Sequence, residues 1–282
     1  MKRVHKLIIS AVALVICGLV VFIIGMSLLD WDFKRLDVTE YTAKVFVPTE
    51  EVSEIKLDVD SFPVRIVRGS ETRLEYYEAT TSEVSVRVND GVLSVVEKYS
   101  RNFFKYGMFN FGRKDHQYVL TVTDETEISI GGINGDVKFD KVDFDKVKID
   151  MTNLDADFSG CTIGELDIYS DNLDIDFEYC ALTTVKINAD NCDIQLADCR
   201  GGSVEIKTIN TSVDVARVSL SSFKVVATNA DVSLERASSQ TIDLRGTNAD
   251  ISLENITVDN LTVAAQNLSA DIEIAGKLRE YT

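Results

Sequence analysis

The sequence predicts an all-β chain: a single-coil-repeat β-solenoid, a parallel β-helix with 19 residues per coil, behind one N-terminal transmembrane helix. Three observations carry this. Asparagine recurs at Asn134, Asn153, Asn172, Asn191, Asn210, Asn229, Asn248 and Asn267, always 19 residues apart. Apolar residues keep the same clock and are spaced mostly in steps of two, as in strands with one buried face. Ahead of everything lies an uncharged stretch of 23 residues, 7–29.

That stretch, "LIISAVALVICGLVVFIIGMSLL", is about 35 Å long as a helix, enough to cross a hydrocarbon core of roughly 30 Å with some tilt. Lys2, Arg3 and Lys6 precede it, which places residues 1–6 in the cytoplasm, and Trp31 follows where an interfacial aromatic is expected. A cleaved signal peptide has a shorter apolar stretch, about 7–15 residues, and a small-residue cleavage site. A lipoprotein needs a small residue before its cysteine, and bulky Ile16 stands before Cys17. The reading is an uncleaved, single-pass anchor at 7–29 and a juxtamembrane connector at 30–50, with all that follows outside the cell membrane. That outer part holds 26 Lys/Arg against 46 Asp/Glu, net −20, because the three basic residues lie before the span. Such a surface repels nucleic acid and anionic lipid.

Residues 51–125 alternate like strands without the 19-residue period, in "EIKLDVD", "PVRIVRG", "TRLEYYE", "VSVRV" and "YVLTVTD". They read as irregular first coils that seal the end of the stack, since an open end presents a strand edge. Within them, residues 99–117 form an insert with six aromatics and a net charge of +3. Arg101, Phe103, Phe104, Lys105, Phe109, Phe111, Arg113 and Lys114 are the candidate partner-contact residues, the alternative being a flap over the solenoid end.

Residues 126–282 are the regular repeats. With each Asn as position zero, apolar residues fall at positions 3 and 5 (Val232 and Leu234), 8 and 10 (Val218 and Leu220), and 13 and 15 (Ile168 two after Leu166). Two steps of three interrupt the alternation. The spacing therefore predicts three short strands and three corners per coil, with Asn as a left-handed corner residue whose stacked amides bond to one another.

Chemistry-bearing residues are few in kind. The outer part has one histidine, His116, and neither a multi-His metal set nor a Ser-His-Asp triad or phosphate loop emerges. Asp136, Asp155, Asp174, Asp193, Asp231 and Asp250 stand two after the Asn, with Asp157, Asp176 and Asp214 two further on. Stacked 4.8 Å apart, like charges repel by about 0.9 kcal/mol per pair even in water. Turn hydrogen bonds relieve this in one reading. In the other, Asp155, Asp157, Asp174, Asp176 and Asp193 hold Ca²⁺ weakly. No other cofactor and no small-molecule substrate is expected. Cys161, Cys180 and Cys199 share position 8 and read as buried thiols.

The runs "EIKLDVDSFPVRIVRG" and "VNDGVLSVVEK", and the series from "INGDVKF" to "TNADISL", resemble the bacterial putative-adhesin family of β-strand-repeat envelope proteins, a domain of unknown function, over roughly residues 40–280. That family places Gly before the corner Asp. Here Gly135 keeps it, and Leu, Cys, Thr or Ala stands there in the other coils. The resemblance implies a β-solenoid at the cell surface and supplies no catalytic residue. The functional expectation is a non-enzymatic interaction module of the envelope, anchored in the membrane, with an envelope protein or wall polymer as partner. The alternatives are a carbohydrate-active enzyme using the acidic ladder and a structural spacer.

Overall fold

Each 19-residue repeat lays down one turn of a parallel β-solenoid, in a computed structural model that describes residues 2–32, 40–59, 63–80, 82–99, 116–123, 126–275 and 280–281. Strands β8 (Glu127–Asp140), β9 (Asp143–Ser159), β10 (Thr162–Glu178), β11 (Ala181–Ala197), β12 (Arg200–Ala216), β13 (Ser219–Glu235) and β14 (Ser238–Ile274) stack in chain order, giving about seven turns. Every residue faces its equivalent one coil away: Ile149 lies opposite Ile168, Ile168 opposite Ile187, Ile187 opposite Ile206. The repeat in sequence is thus the register of the sheet.

Pairing between coils falls into three segments per turn, in one coil Thr162–Ile163, Glu165–Ser170 and Asn172–Glu178, with lapses at Gly164, Asp171 and Tyr179–Cys180, so the three short strands and three corners are present. One expectation about the coil is corrected. None of the eight Asn has a left-handed backbone. The left-handed position is seven residues later, at Lys141, Gly160, Tyr179, Asp198, Arg217, Arg236 and Asn255, with φ between 52° and 65°. Positive φ is costly for residues other than glycine. Here the neighbouring rung enforces it: Tyr179 N–H donates to the carbonyl of Ala197 at 3.1 Å, Asp198 to Ala216 at 3.1 Å and Arg217 to Glu235 at 3.0 Å. The geometry is set by coil-to-coil bonding, so the column needs no shared residue type.

The core consists of columns of like side chains. Phe139, Phe158 and Phe177 stack with ring centroids 4.3 and 5.0 Å apart. The two gaps in the position-10 column have local causes. Gly201 has φ +139°, and a Cβ there would meet the Leu182 carbonyl oxygen at 1.8 Å. Ser239 turns its hydroxyl to the Thr241 carbonyl at 2.9 Å. Cys161, Cys180 and Cys199 are buried free thiols, each donating to the carbonyl of a Phe on the preceding rung at 3.3–3.6 Å. The Cys180 contact, reinforced by burial, holds the Cys161 thiol far above its ordinary pKa.

Two irregular rungs lie on the N-terminal side of β8. Strands β2 (Glu54–Asp58) and β3 (Val64–Arg68) pair with it in parallel, Ile55 opposite Ile128 and Val64 opposite Val137. Strands β6 (Val92–Tyr99) and β7 (Tyr118–Val122) lie on these in turn. Beyond them the pairing turns antiparallel. β5 (Ser82–Asn89) covers β6, while β4 (Arg73–Ala79) and then β1 (Tyr41–Phe46) cover β7. At the far end β15 (Glu280–Tyr281) pairs with Asn260 and Leu261. Helix α1 (Lys2–Leu28) contains a 21-residue segment, Ile8–Leu28, of mean hydropathy 3.0 and largely exposed. It is long and apolar enough to cross a membrane.

The register makes a sharp prediction. Leu234 is buried between equivalents on both neighbouring rungs, so Leu234→Asp strands a carboxylate in a shared column and costs about 4 kcal/mol or more. Ser252→Asp, on the exposed face, changes stability by about 0.5 kcal/mol or less. Denaturant titration of the two variants checks the assignment, and equal losses contradict it.

Candidate functional site

A groove of about 1650 Å³ follows the Asn column along the stack. Three columns build it, at positions 0, 1 and 2 of successive coils. They do so because strand alternation sends position 1 inward and its two neighbours outward.

One wall is the amide row. Asn153 Nδ2 donates to Asn134 Oδ1 at 2.8 Å, Asn172 to Asn153 at 2.8 Å, Asn191 to Asn172 at 3.1 Å and Asn210 to Asn191 at 2.7 Å. Asn229, Asn248 and Asn267 continue the series at 2.6–2.7 Å. Ser170 and Thr208 brace the corner, each hydroxyl donating to a backbone carbonyl of an Asn on its own coil, at 2.8 and 3.0 Å.

The floor is position 1: Gly135, Leu154, Leu173, Cys192, Thr211, Ala230, Ala249 and Leu268. Leu154 and Leu173 form it in the early rungs, and smaller Thr211, Ala230 and Ala249 later. At Gly135 a Cβ would meet Met151 Sδ at 2.4 Å, so the glycine accommodates that methionine. Cys192 donates to Thr211 Oγ1 at 3.1 Å. Pro63 lines the N-terminal end.

The opposite wall is acidic, formed by Asp136, Asp155, Asp174, Asp193, Asp231 and Asp250, and no Lys or Arg lines the groove. Of the sequence candidates, Asp155, Asp174 and Asp193 are brought together here. Asp157 and Asp176 stand two residues further along, outside the lining. Asp157 is paired with Lys138 at 2.6 Å. One carboxylate oxygen of Asp136 and one of Asp176 are buried without a hydrogen-bond partner. Burial, then repulsion by Asp136, Asp157 and Asp174, pushes the Asp155 carboxyl above its ordinary pKa. Burial, then Asp174, Asp157 and Asp193, does the same to Asp176. Among the described residues no three His, Cys, Asp or Glu side chains are grouped as a metal ion requires. Register sets equivalents side by side along a line, not around a point.

The second set of candidates, Arg101, Phe103, Phe104, Lys105, Phe109, Phe111, Arg113 and Lys114, lies outside the described residues. The described ends of that segment are informative. Tyr118 N–H donates to the carbonyl of Pro63 at 2.8 Å, so the chain re-enters the stack beside the residue that ends the groove. His116 stacks on Tyr41 at 4.2 Å and meets Tyr77 edge-on at 4.5 Å.

Sequence reasoning missed the floor. Its residues range from Leu through Cys and Thr to Ala, so no apolar column stands out. The signal that finds it is arithmetic: position 1 continues the two-residue alternation of positions 3 and 5 backward to the corner.

The Toastrack DUF4097 family model matches residues 52–280. No curated protein matches the sequence. Among solved structures, one named a putative adhesin from Parabacteroides distasonis is 13% identical, with a TM-score of 0.46, covering 86% of this chain and 96% of that one. A putative adhesin from Bacteroides fragilis is 12% identical, TM-score 0.37, covering 86% and 97%. A putative lipid binding protein from Parabacteroides distasonis is 13% identical, TM-score 0.32, covering 87% and 98%.

Two predictions follow from the walls. Asn191 both donates and accepts in the row, so Asn191→Ala removes two amide bonds and lowers stability by about 1–2 kcal/mol in denaturant titration. For the acids the sign is opposite. A carboxyl whose folded pKa is raised contributes stability that is fully present below the ordinary aspartate pKa and is lost as pH rises through the raised value. The double variant Asp155→Asn, Asp176→Asn therefore melts a few degrees higher than the parent at pH 7. Melting curves recorded at decreasing pH show this difference closing once the unfolded-state aspartates are protonated.

Proposed function

This chain belongs to the Toastrack DUF4097 family, and from that premise we propose that it is a membrane-anchored, extracytoplasmic interaction module of the bacterial envelope. It holds an envelope protein or wall polymer near the membrane and performs no reaction on it. The observation that carries this reading is the groove, whose amide row, floor and acidic wall recur from rung to rung. A catalytic site is a local exception in a surface, a pair of acids set at one working distance. A track that repeats along its length suits a partner that is itself extended.

The apolar helix supports the anchoring, with Lys2, Arg3 and Lys6 holding its start in the cytoplasm. About seven regular turns and two irregular rungs at about 4.8 Å make a stack roughly 40 Å long, which keeps the partner close to the membrane unless the connector is extended.

Photocrosslinking in intact cells tests the reading. A photoreactive residue at Ser212, in the groove wall, gives adducts of higher mass, and one at exposed Asp145 on another face gives none. Equal yields from the two positions contradict a groove partner. Labelling of Ser252→Cys in intact cells by a membrane-impermeant maleimide checks the orientation.

A further inference from the structure

We propose that the groove is a binding track for a linear β-1,4-linked amino-sugar chain, laid along the solenoid axis with one sugar per rung. This rests on the interaction-module reading and names the chemical class of its partner.

Three features of the groove select that class. The first is periodicity. Equivalent groups recur every rung, about 4.8 Å, close to the rise of one sugar in an extended β-1,4-linked chain. An extended polypeptide advances only about 3.3 Å per residue, so its side chains fall out of step with the rungs.

The second is the set of polar groups. An Asn amide has two N–H donors and two carbonyl lone pairs. The ladder uses one of each on an internal Asn, leaving one donor and one acceptor per rung for a ligand. Between the amide row and the acids runs a floor with Leu154, Leu173, Ala230 and Ala249. Hydroxyls that both donate and accept, on a ring with apolar C–H faces, match this cross-section.

The third is charge. Six carboxylates line the wall and no cation does, so a polyanion is repelled and a sugar bearing an ammonium group is attracted. Successive sugars in a β-1,4 chain are turned over relative to one another, so their amino groups alternate sides. Those on one side meet the Asp row. Those on the other meet the amide row, whose free carbonyl lone pairs accept from ammonium. Both walls are thus usable by one ligand.

Titration calorimetry on the full chain in detergent micelles tests this with three probes: a β-1,4-glucosamine hexamer, its fully N-acetylated counterpart and hexalysine. The glucosamine hexamer is expected to bind at least tenfold more tightly than either other probe, and more weakly as salt rises. The triple variant Asp155→Asn, Asp174→Asn, Asp193→Asn weakens it at least tenfold. Removing as much charge elsewhere, with Asp145→Asn, Glu178→Gln and Glu254→Gln, leaves it unchanged. Hexalysine binding as tightly as the sugar overturns the proposal in favour of a basic peptide, and equal loss in both charge variants overturns it in favour of unspecific attraction. No binding of any probe, with the Ser212 crosslink intact, sinks the sugar and spares the docking reading. Loss of both sinks both.

Discussion

In-register parallel stacking governs this molecule. Because each residue lies next to its own equivalent one coil away, every column must be compatible with itself. Phe, Ile and Leu meet that condition by dispersion and burial, and Asn meets it because an amide carries both a donor and an acceptor. Asp does not. Lys138 offsets the repulsion at Asp157, and at Asp155 and Asp176 burial and neighbouring carboxylates cause protons to be held more tightly than usual. A row that costs stability at such positions, beside a row that stabilises, gives the groove its two unlike walls.

The regular part of the fold was legible because self-compatible columns leave a visible period. Phe139, Phe158 and Phe177 announce their column by identity, and the eight Asn announce theirs even more plainly. The left-handed position was misplaced for the converse reason. Lys141, Tyr179, Asp198 and Arg217 share a backbone conformation imposed by hydrogen bonds between main chains, and such bonds leave no mark on residue type. The groove floor was hidden by variety, since residues as unlike as Leu173 and Ala230 line one surface. The capping strands were recognisable only as alternation. Their antiparallel pairing depends on contacts far apart in the chain, such as Tyr41 opposite Ala79.

The two ends of the groove differ. At the N-terminal end Pro63 lines it, and its carbonyl accepts from Tyr118 where the chain rejoins the stack. At the other end Asn267 and Leu268 still line it.

The stacked phenylalanines bear on how the chain finds this arrangement at all. A stack whose rungs are interchangeable cannot count: a coil docked one turn too far along buries much the same surface and makes the same backbone bonds. Near-identical phrases such as those around Asn229 and Asn248 invite that slip. The phenylalanine run reduces the ambiguity in the earlier turns. It begins at Phe139 and ends at Phe177, which itself lies opposite Leu196, and a one-turn slip there would break one of its two stacked ring pairs. The aromatic block thus serves as an origin from which the later, more uniform turns are numbered as they form.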